Sequence, residues 1–208
     1  RSISEFYGRV VEGLDENGRF IYKEIDGVPG INDSDREYIG SPHADFTYGI
    51  NARVAYKNFD MSAFFTGSQG NDIYNYNKIY TDFPTFVDGN RSTRVLNSWT
   101  PTNTNTTVPA LSQSISNSET NPNSYFVEDG SYLRLKNIQI GYTLPETTLD
   151  KLNMSSLRLY VQATNLFTIT GYDGMDPEVI QGGNLTLGVD DQTYPFSQLF
   201  TFGVNLKF

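Results

Sequence analysis

The last nine residues, Phe200–Phe208, alternate without a fault. Phe200, Phe202, Val204, Leu206 and Phe208 fall on one side, and Thr201, Gly203, Asn205 and Lys207 on the other. Successive side chains of a β-strand point to opposite faces, so this segment carries one apolar wall and one polar wall. A wall of this kind running through the final aromatic residue is what a transmembrane β-strand needs, with lipid on one side and water or a plug on the other. The competing reading is an ordinary half-buried strand of a soluble sandwich, where a chain end is usually polar and frayed.

Four earlier segments share the pattern. Residues 155–168 place Leu157, Leu159, Val161, Ala163 and Phe167 on one face and Arg158, Tyr160, Gln162 and Thr164 on the other. In 131–144, Ile138, Ile140, Tyr142 and Leu144 share a face, whereas Leu133 and Leu135 are out of phase. A one-residue bulge near Lys136 and Asn137 restores a single apolar wall and turns Arg134 and Lys136 inward. Phe59, Met61, Ala63 and Phe65 form a fourth stripe, and Phe46, Tyr48, Ile50, Ala52, Val54 and Tyr56 a fifth. Each segment has about the 9–11 residues of a tilted membrane strand. Aromatic residues at their ends, Tyr56, Tyr142 and Phe208 on one rim and Phe46 and Phe167 on the other, suit interfacial girdles.

The connections alternate in length. Lys57–Asn58 alone joins 45–56 to 59–68, and Pro145–Met154, with a helical turn through Leu149 and Leu152, joins 131–144 to 155–168. The links 69–130 and 169–197 are long. Short periplasmic turns opposite long outer loops give this alternation in a membrane barrel. Residues 6–14 and 19–26 are read as a further hairpin about Asp15–Gly18, with Asn17-Gly18 as its turn signal. The expected organisation is a loop and hairpin region over 1–44, then barrel strands over 45–208 with extracellular loops 69–130 and 169–197.

Composition supports an all-β antiparallel fold and removes several functions. There are 14 Phe, 14 Tyr and 18 Gly, an inventory suited to strands and turns. The net charge of −9 leaves no basic surface for nucleic acid. Without cysteine there is no disulfide, thiol nucleophile or thiolate metal site. No stretch approaches the ~20 apolar residues of a membrane helix, so spanning falls to strands. The chain begins at Arg1 with no basic and apolar leader, as if a signal sequence had been removed or a longer protein preceded it. Five to seven strands fall short of the roughly eight that close the smallest single-chain barrels, and an open edge in hydrocarbon costs several kcal/mol for each unpaired group. The chain is therefore expected to be the C-terminal part of a larger barrel.

A series of motifs carries a family resemblance: Val127–Asn137 (VEDGSYLRLKN), Gly141–Pro145 (GYTLP), Ser156–Tyr160 (SLRLY), Asn165–Thr168 (NLFT), Gly171–Glu178 (GYDGMDPE) and the closing strand. Upstream, Ile39–Pro42, Phe46–Gly49, Phe64–Asn71 and Trp99–Pro101, with the Asn-Thr repeats leading to Pro109, continue it. In order and spacing these resemble the C-terminal barrel of SusC/RagA-like TonB-dependent transporters of Bacteroidetes. The resemblance implies a 22-stranded outer-membrane barrel with an N-terminal plug and a hinged SusD-like surface lipoprotein. It further implies TonB-ExbB-ExbD acting through a part that lies outside this chain, with uptake of oligosaccharides or oligopeptides. It also implies that Phe200, Phe202, Val204, Leu206 and Phe208 form the signal read by the barrel-assembly machinery. A non-transporting outer-membrane barrel or envelope-complex subunit, and a secreted β-sandwich lectin, are the rival readings.

Site chemistry is thin. The long loops hold Tyr74, Tyr76, Tyr80, Phe83, Phe86, Trp99, Tyr172 and Tyr194 among Asn, Asp and Thr, and aromatic faces beside amides suit sugars or peptides. Tyr74, Tyr76, Tyr80, Trp99 and Tyr172 are the candidate substrate contacts, against the alternative that they cement loops together or dock the lid. Glu24, Asp26, Asn32 and Asp35 resemble a calcium loop of the family, degraded by Val28 at the central acidic position and Pro29 at the turn glycine, so no resident metal is expected. The lone His43 sits in a Ser-Pro-His turn, Thr66–Gly70 has the wrong spacing for a nucleophile elbow, and the carboxylates Glu128/Asp129 and Asp176/Glu178 default to solvated loops. Arg134, Lys136 and Arg158 are read as lumen-facing charges, available to plug carboxylates. No enzyme activity is expected.

Overall fold

The computed structural model describes residues 2–84, 89–112, 119–150, 154–179 and 186–208. Its strands are β1 (Phe6–Gly8), β2 (Val11–Leu14), β3 (Phe20–Tyr22), β4 (Glu37–Gly40), β5 (Phe46–Tyr56), β6 (Phe59–Gln69), β7 (Asp72–Asn75), β8 (Val127–Asp129), β9 (Tyr132–Thr143), β10 (Ser156–Thr170), β11 (Val189–Asp190) and β12 (Leu199–Lys207). Among the described residues there are two short α-helices, α1 (Lys78–Thr81) and α2 (Glu146–Leu149), and 3-10 turns at Asp33–Asp35, Thr93–Asn97 and Ser124–Phe126. The chain separates into a core unit, Arg1–Ala44 with Asn71–Gly130 and Tyr172–Tyr194, and a sheet unit, Asp45–Gly70 with Ser131–Gly171 and Pro195–Phe208.

The sheet unit is one antiparallel sheet in the order β12-β10-β9-β6-β5. Its register aligns the alternating residues into rows. Val54, Met61, Ile140, Val161 and Phe202 lie side by side across all five strands, and Arg53, Ser62, Gln139, Gln162 and Thr201 form the next row on the opposite face. A one-residue slip anywhere would break both rows, so apolar patterning and pairing specify the same register. The apolar face is open: Ile140 is 44% exposed, Val161 43% and Phe202 81%. The other face is tied by polar contacts. Arg158 grips Asp60 through Nε and Nη2 at 2.9 and 2.5 Å and donates to Gln139 at 3.0 Å, and Gln139 donates to Gln162 at 3.1 Å. Gly203 and Gly141 are the sockets for this face, lying against the Tyr160 ring and the Arg158 guanidinium where a Cβ would collide.

The expected bulge is present. Pairing of β9 passes from Asn137 to Leu135 opposite the consecutive Phe64 and Phe65, leaving Lys136 as the extra residue. Leu135 then faces Phe65 and Phe167, which restores the apolar wall. Arg134 donates to Thr168 at 2.8 Å, and both Arg134 and Lys136 stack on Phe196, at 5.5 and 4.6 Å from its ring. These three cations therefore have partners within the sheet unit itself. The Tyr56–Phe59 turn closes through Lys57 at φ +53, a left-handed conformation held by the pairing on either side. In the 145–154 link the helical turn is α2, with Leu149 buried, and Leu152 lies outside the described residues. Among the described residues the sheet is not closed; β5 and β12 are its edges.

The core unit is built from short pieces. β2 and β3 form a hairpin about Asp15–Arg19, held by Asp15 N–H to Arg19 O at 2.8 Å and two N–H bonds to the Asp15 carboxylate. The hairpin is smaller than expected. Residues 6–8 pair with 37–40 instead, because the chain leaves the hairpin at Arg9, whose N–H and C=O bond to Pro122 and Ser124. A second sheet runs β11-β7-β8, with β11 parallel to β7. Phe20, Ile79, Phe83 and Phe126 are buried at the centre, and Tyr22, Tyr74, Tyr76, Tyr80 and Tyr125 pack around them.

Candidate functional site

Within the core unit, the segment that leaves β7 and enters α1 forms one wall of an open cleft of about 610 Å³. Asn75 and Asn77 contribute from that segment, Ser92 and Arg94 from the following 3-10 turn, Asp173, Gly174 and Met175 from the 171–178 segment, and Gln192, Thr193 and Tyr194 from beyond β11. Ser92 caps the 3-10 turn by accepting the Arg94 N–H at 3.2 Å, which places the Arg94 side chain toward the cleft wall.

Ion pairs hold the wall in shape. Arg94 donates from Nε to Asp82 at 2.9 Å and from Nη1 to Asp173 at 2.7 Å. Asp82 is buried and also receives the Tyr125 hydroxyl at 2.7 Å and the Thr81 hydroxyl at 3.0 Å. Burial alone would lower the Arg94 guanidinium, but hydrogen bonding to Asp173 and the Asp82 charge outweigh it and hold it more firmly charged. A second node is Glu128, which pairs with Lys78 at 2.8 Å, accepts from Asn75 Nδ2 at 3.0 Å and receives the Asp173 N–H at 2.8 Å. The Asn75 side-chain oxygen Oδ1 is buried, and no donor among the described residues reaches it. Gln192, at φ +59, donates its N–H to Asn77 at 2.9 Å and so pins the far wall to the near one. At the mouth, Met175 and Tyr194 are 79% and 86% exposed.

The five aromatic candidates fall in three places. Tyr74, Tyr76 and Tyr80 come together: Tyr74 lies 5.5 Å from Phe126 and 6.5 Å from Tyr76, and Tyr76 meets Tyr80 edge-on at 5.7 Å. Tyr172 is buried and donates its hydroxyl to Asp190 at 2.6 Å. Trp99 stands apart, its ring over Gly18 at the β2–β3 turn. Burial pushes the phenols of Tyr74, Tyr125 and Tyr172 well above their ordinary value, with Asp82 adding to the shift for Tyr125 and Asp190 for Tyr172. Phe83 is in the core, Phe86 lies outside the described residues, and of the described loop aromatics Tyr194 alone lines the cleft.

No family model matches the chain. Over its whole length it is 38% identical to TonB-dependent receptor P3 of Formosa agariphila, covering 22% of that protein. It is 30% identical to TonB-dependent receptor SusC of Bacteroides thetaiotaomicron, with 93% of this chain and 18% of that protein aligned. The fold superposes on the RagAB peptide importer in the closed-closed state with a TM-score of 0.79, at 26% identity over 98% of this chain and 23% of that one. In the open-open state the TM-score is 0.77. The chain belongs to the SusC/RagA-like TonB-dependent receptors. It spans about a fifth of the length of the curated relatives it matches.

Other groups of this receptor chain are accounted for by its loops. Glu24, Asp26 and Asp35 bring carboxylate oxygens within 4.8 Å of one another. Their fit to a hard cation is partial, since Asp35 accepts the Ile25 and Asn32 N–H groups at 3.1 and 2.9 Å with its two oxygens. Asn32 spends its side chain on Ser34 N–H and Asp26. Those two N–H bonds hold the Asp35 carboxyl below the usual range, while desolvation, the Asp26 hydrogen bond and the Asp35 charge raise Glu24. His43 is exposed and bonds Ile3 O at 2.7 Å, Thr66–Gln69 ends β6, and Asp176 caps a turn through Glu178 N–H. The cleft was missed in the sequence because Asn75, Arg94, Asp173 and Tyr194 are spread over 120 positions. Only the exposed Tyr194 was singled out there.

Proposed function

We propose that this chain supplies C-terminal strands and outer loops of a 22-stranded TonB-dependent transporter in the bacterial outer membrane. The transporter imports oligosaccharides or oligopeptides beneath a SusD-like surface lipoprotein. The observation that carries this reading is the five-stranded sheet with one continuous exposed apolar face and one polar face, in a chain of this receptor family. An apolar face of that width is costly in water and stable against acyl chains. The exposed edges β5 and β12 gain their missing hydrogen bonds from neighbouring strands of the full barrel. Phe200, Phe202, Val204, Leu206 and Phe208, all outward and exposed, suit the signal for barrel assembly. In this reading the core unit belongs to the outer loops, and Tyr74, Tyr76, Tyr80, Trp99 and Tyr172 are its aromatic candidates for cargo contact, outside the lining of the cleft.

Energy comes from the proton gradient through TonB-ExbB-ExbD, and no catalysis or resident cofactor is invoked. Deleting the full-length gene in its host should abolish uptake of one class of labelled oligomer, and a protonophore should stop that uptake in the parent strain. Unchanged uptake of all oligomers in the deletion strain contradicts importer activity. A calorimetric titration of the receptor with millimolar Ca²⁺ is expected to show no binding heat, and saturable heat lost on Asp26→Ala would install calcium at the acidic loop.

A further inference from the structure

The cleft of the core unit is lined by amides, hydroxyls and an exposed tyrosine ring. Resting on the importer reading, we propose that it is a subsite for a neutral oligosaccharide, with one sugar ring against Tyr194 and hydroxyl groups directed to the cleft amides.

Four observations carry this. The first concerns charge: Arg94 is shared between Asp82 and Asp173, one cation against two carboxylates. Among the described residues that line the cleft, no uncompensated positive charge is left for a peptide carboxylate, a uronate or a sulfate ester, and the surplus is negative. The second concerns the backbone. An extended peptide binds most readily by adding to a strand edge, yet β7, the strand that reaches the cleft through Asn75, is paired on both sides, to β8 and to β11. Main-chain recognition of a peptide therefore has no edge to use among the described residues of the cleft.

The third is the polar lining of the cleft. Sugar hydroxyls are donors and acceptors at once, which matches a wall of amides and hydroxyls from Asn77, Ser92 and Gln192. The fourth is the mouth. The Tyr194 ring is 86% exposed, an apolar face beside polar groups, and the volume of the cleft lies within the usual range of roughly 300–1,000 Å³ for small-ligand sites.

The test uses the purified full-length receptor in detergent and isothermal calorimetry. The probes are neutral hexasaccharides (α-1,4-glucan, β-1,3-glucan, β-1,4-xylan and β-1,4-mannan), a galacturonate hexamer, and a mixture of neutral heptapeptides. At least one neutral hexasaccharide is expected to bind, at least tenfold more weakly after Tyr194→Ala and unchanged after Tyr194→Phe, which keeps the ring. Because Tyr194 is exposed, this variant leaves the fold intact, and Met175→Ala supplies a second probe of the mouth with a smaller loss in the same direction. Saccharide binding that ignores Tyr194→Ala overturns the site. Binding of the heptapeptides or the galacturonate, but of no neutral saccharide, overturns the ligand class and leaves the importer reading standing. Failure of every probe to bind overturns the proposal, and the importer reading is then judged separately by the uptake of the deletion strain.

Discussion

The two units use the same apolar residue types with opposite polarity. In the core unit Phe20, Ile79, Phe83 and Phe126 are buried among tyrosines, and charges such as Lys78–Glu128 are paired beneath the surface. In the sheet unit Ile140, Val161, Phe202 and Val204 point outward and stay exposed, while Arg158, Asp60, Gln139 and Gln162 are joined on the other face. Water explains the first arrangement, because apolar area leaves the solvent as the loops fold. It does not explain the second, which places apolar rows across five strands in contact with whatever surrounds them. The difference teaches that the two units answer to two solvents.

Substitutions can break that comparison, and the largest effect is expected in the core unit. Phe126→Ala removes a side chain that is 1% exposed and should destabilise the core unit by about 3–5 kcal/mol, read as faster hydrogen exchange over 124–129 with the strands of the sheet unit unchanged. Unchanged exchange would mean that the aromatic cluster does not hold the unit together. Next in size, Val161→Arg should cost about 2–4 kcal/mol in denaturant titrations of the full-length receptor in liposomes, whereas Gln162→Arg on the adjacent, opposite-facing position should cost little. Equal effects at the two sites would erase the distinction between faces.

Tyr172→Phe leaves the buried Asp190 carboxylate without its 2.6 Å hydroxyl partner and should cost roughly 1.5–3 kcal/mol, measured by exchange at β7 and β11. The smallest effect is local and depends on pH. Glu24 is raised, so its charged form opposes folding of the loop at neutral pH, and that penalty disappears as pH falls through its folded value. Asp35 is depressed, so its contribution is present above the ordinary carboxylate range and is lost as pH falls through its lower folded value. Exchange at the Ile25 and Asn32 amides should slow on mild acidification and then accelerate, and Asp35→Asn should remove the second limb. A rise in exchange from neutrality downward would contradict the assignment of the two shifts.

Long strands were legible because period-two patterning is local. The boundaries of β5, β6, β9, β10 and β12 follow it within a few residues, and the phase slip of Leu133 and Leu135 located the Lys136 bulge. The core unit was less legible for a physical reason. Its strands have two to four residues, too few to display a period, and their partners are remote: Phe6–Gly8 meets Glu37–Gly40, and Val189–Asp190 meets Tyr74–Asn75. Tyr74, Tyr76 and Tyr80 read as a set of loop aromatics, and the structure does assemble them, but against Phe126 and its neighbours rather than around the cleft. Asn75, Arg94 and Asp173 had no common signal, because only the folded loops bring them together.

The central claim is that the outward rows of the sheet unit meet lipid. Single substitutions Ile140→Cys, Val161→Cys and Val204→Cys, with Gln139→Cys, Gln162→Cys and Asn205→Cys for the opposite face, can each carry one spin label in bilayers in a full-length receptor with any cysteine outside this cysteine-free chain replaced by serine. Collision with dissolved oxygen should dominate at the first three positions and collision with a water-soluble nickel chelate at the second three. Nickel accessibility at Ile140, Val161 and Val204 equal to that at Gln139, Gln162 and Asn205 would contradict the account.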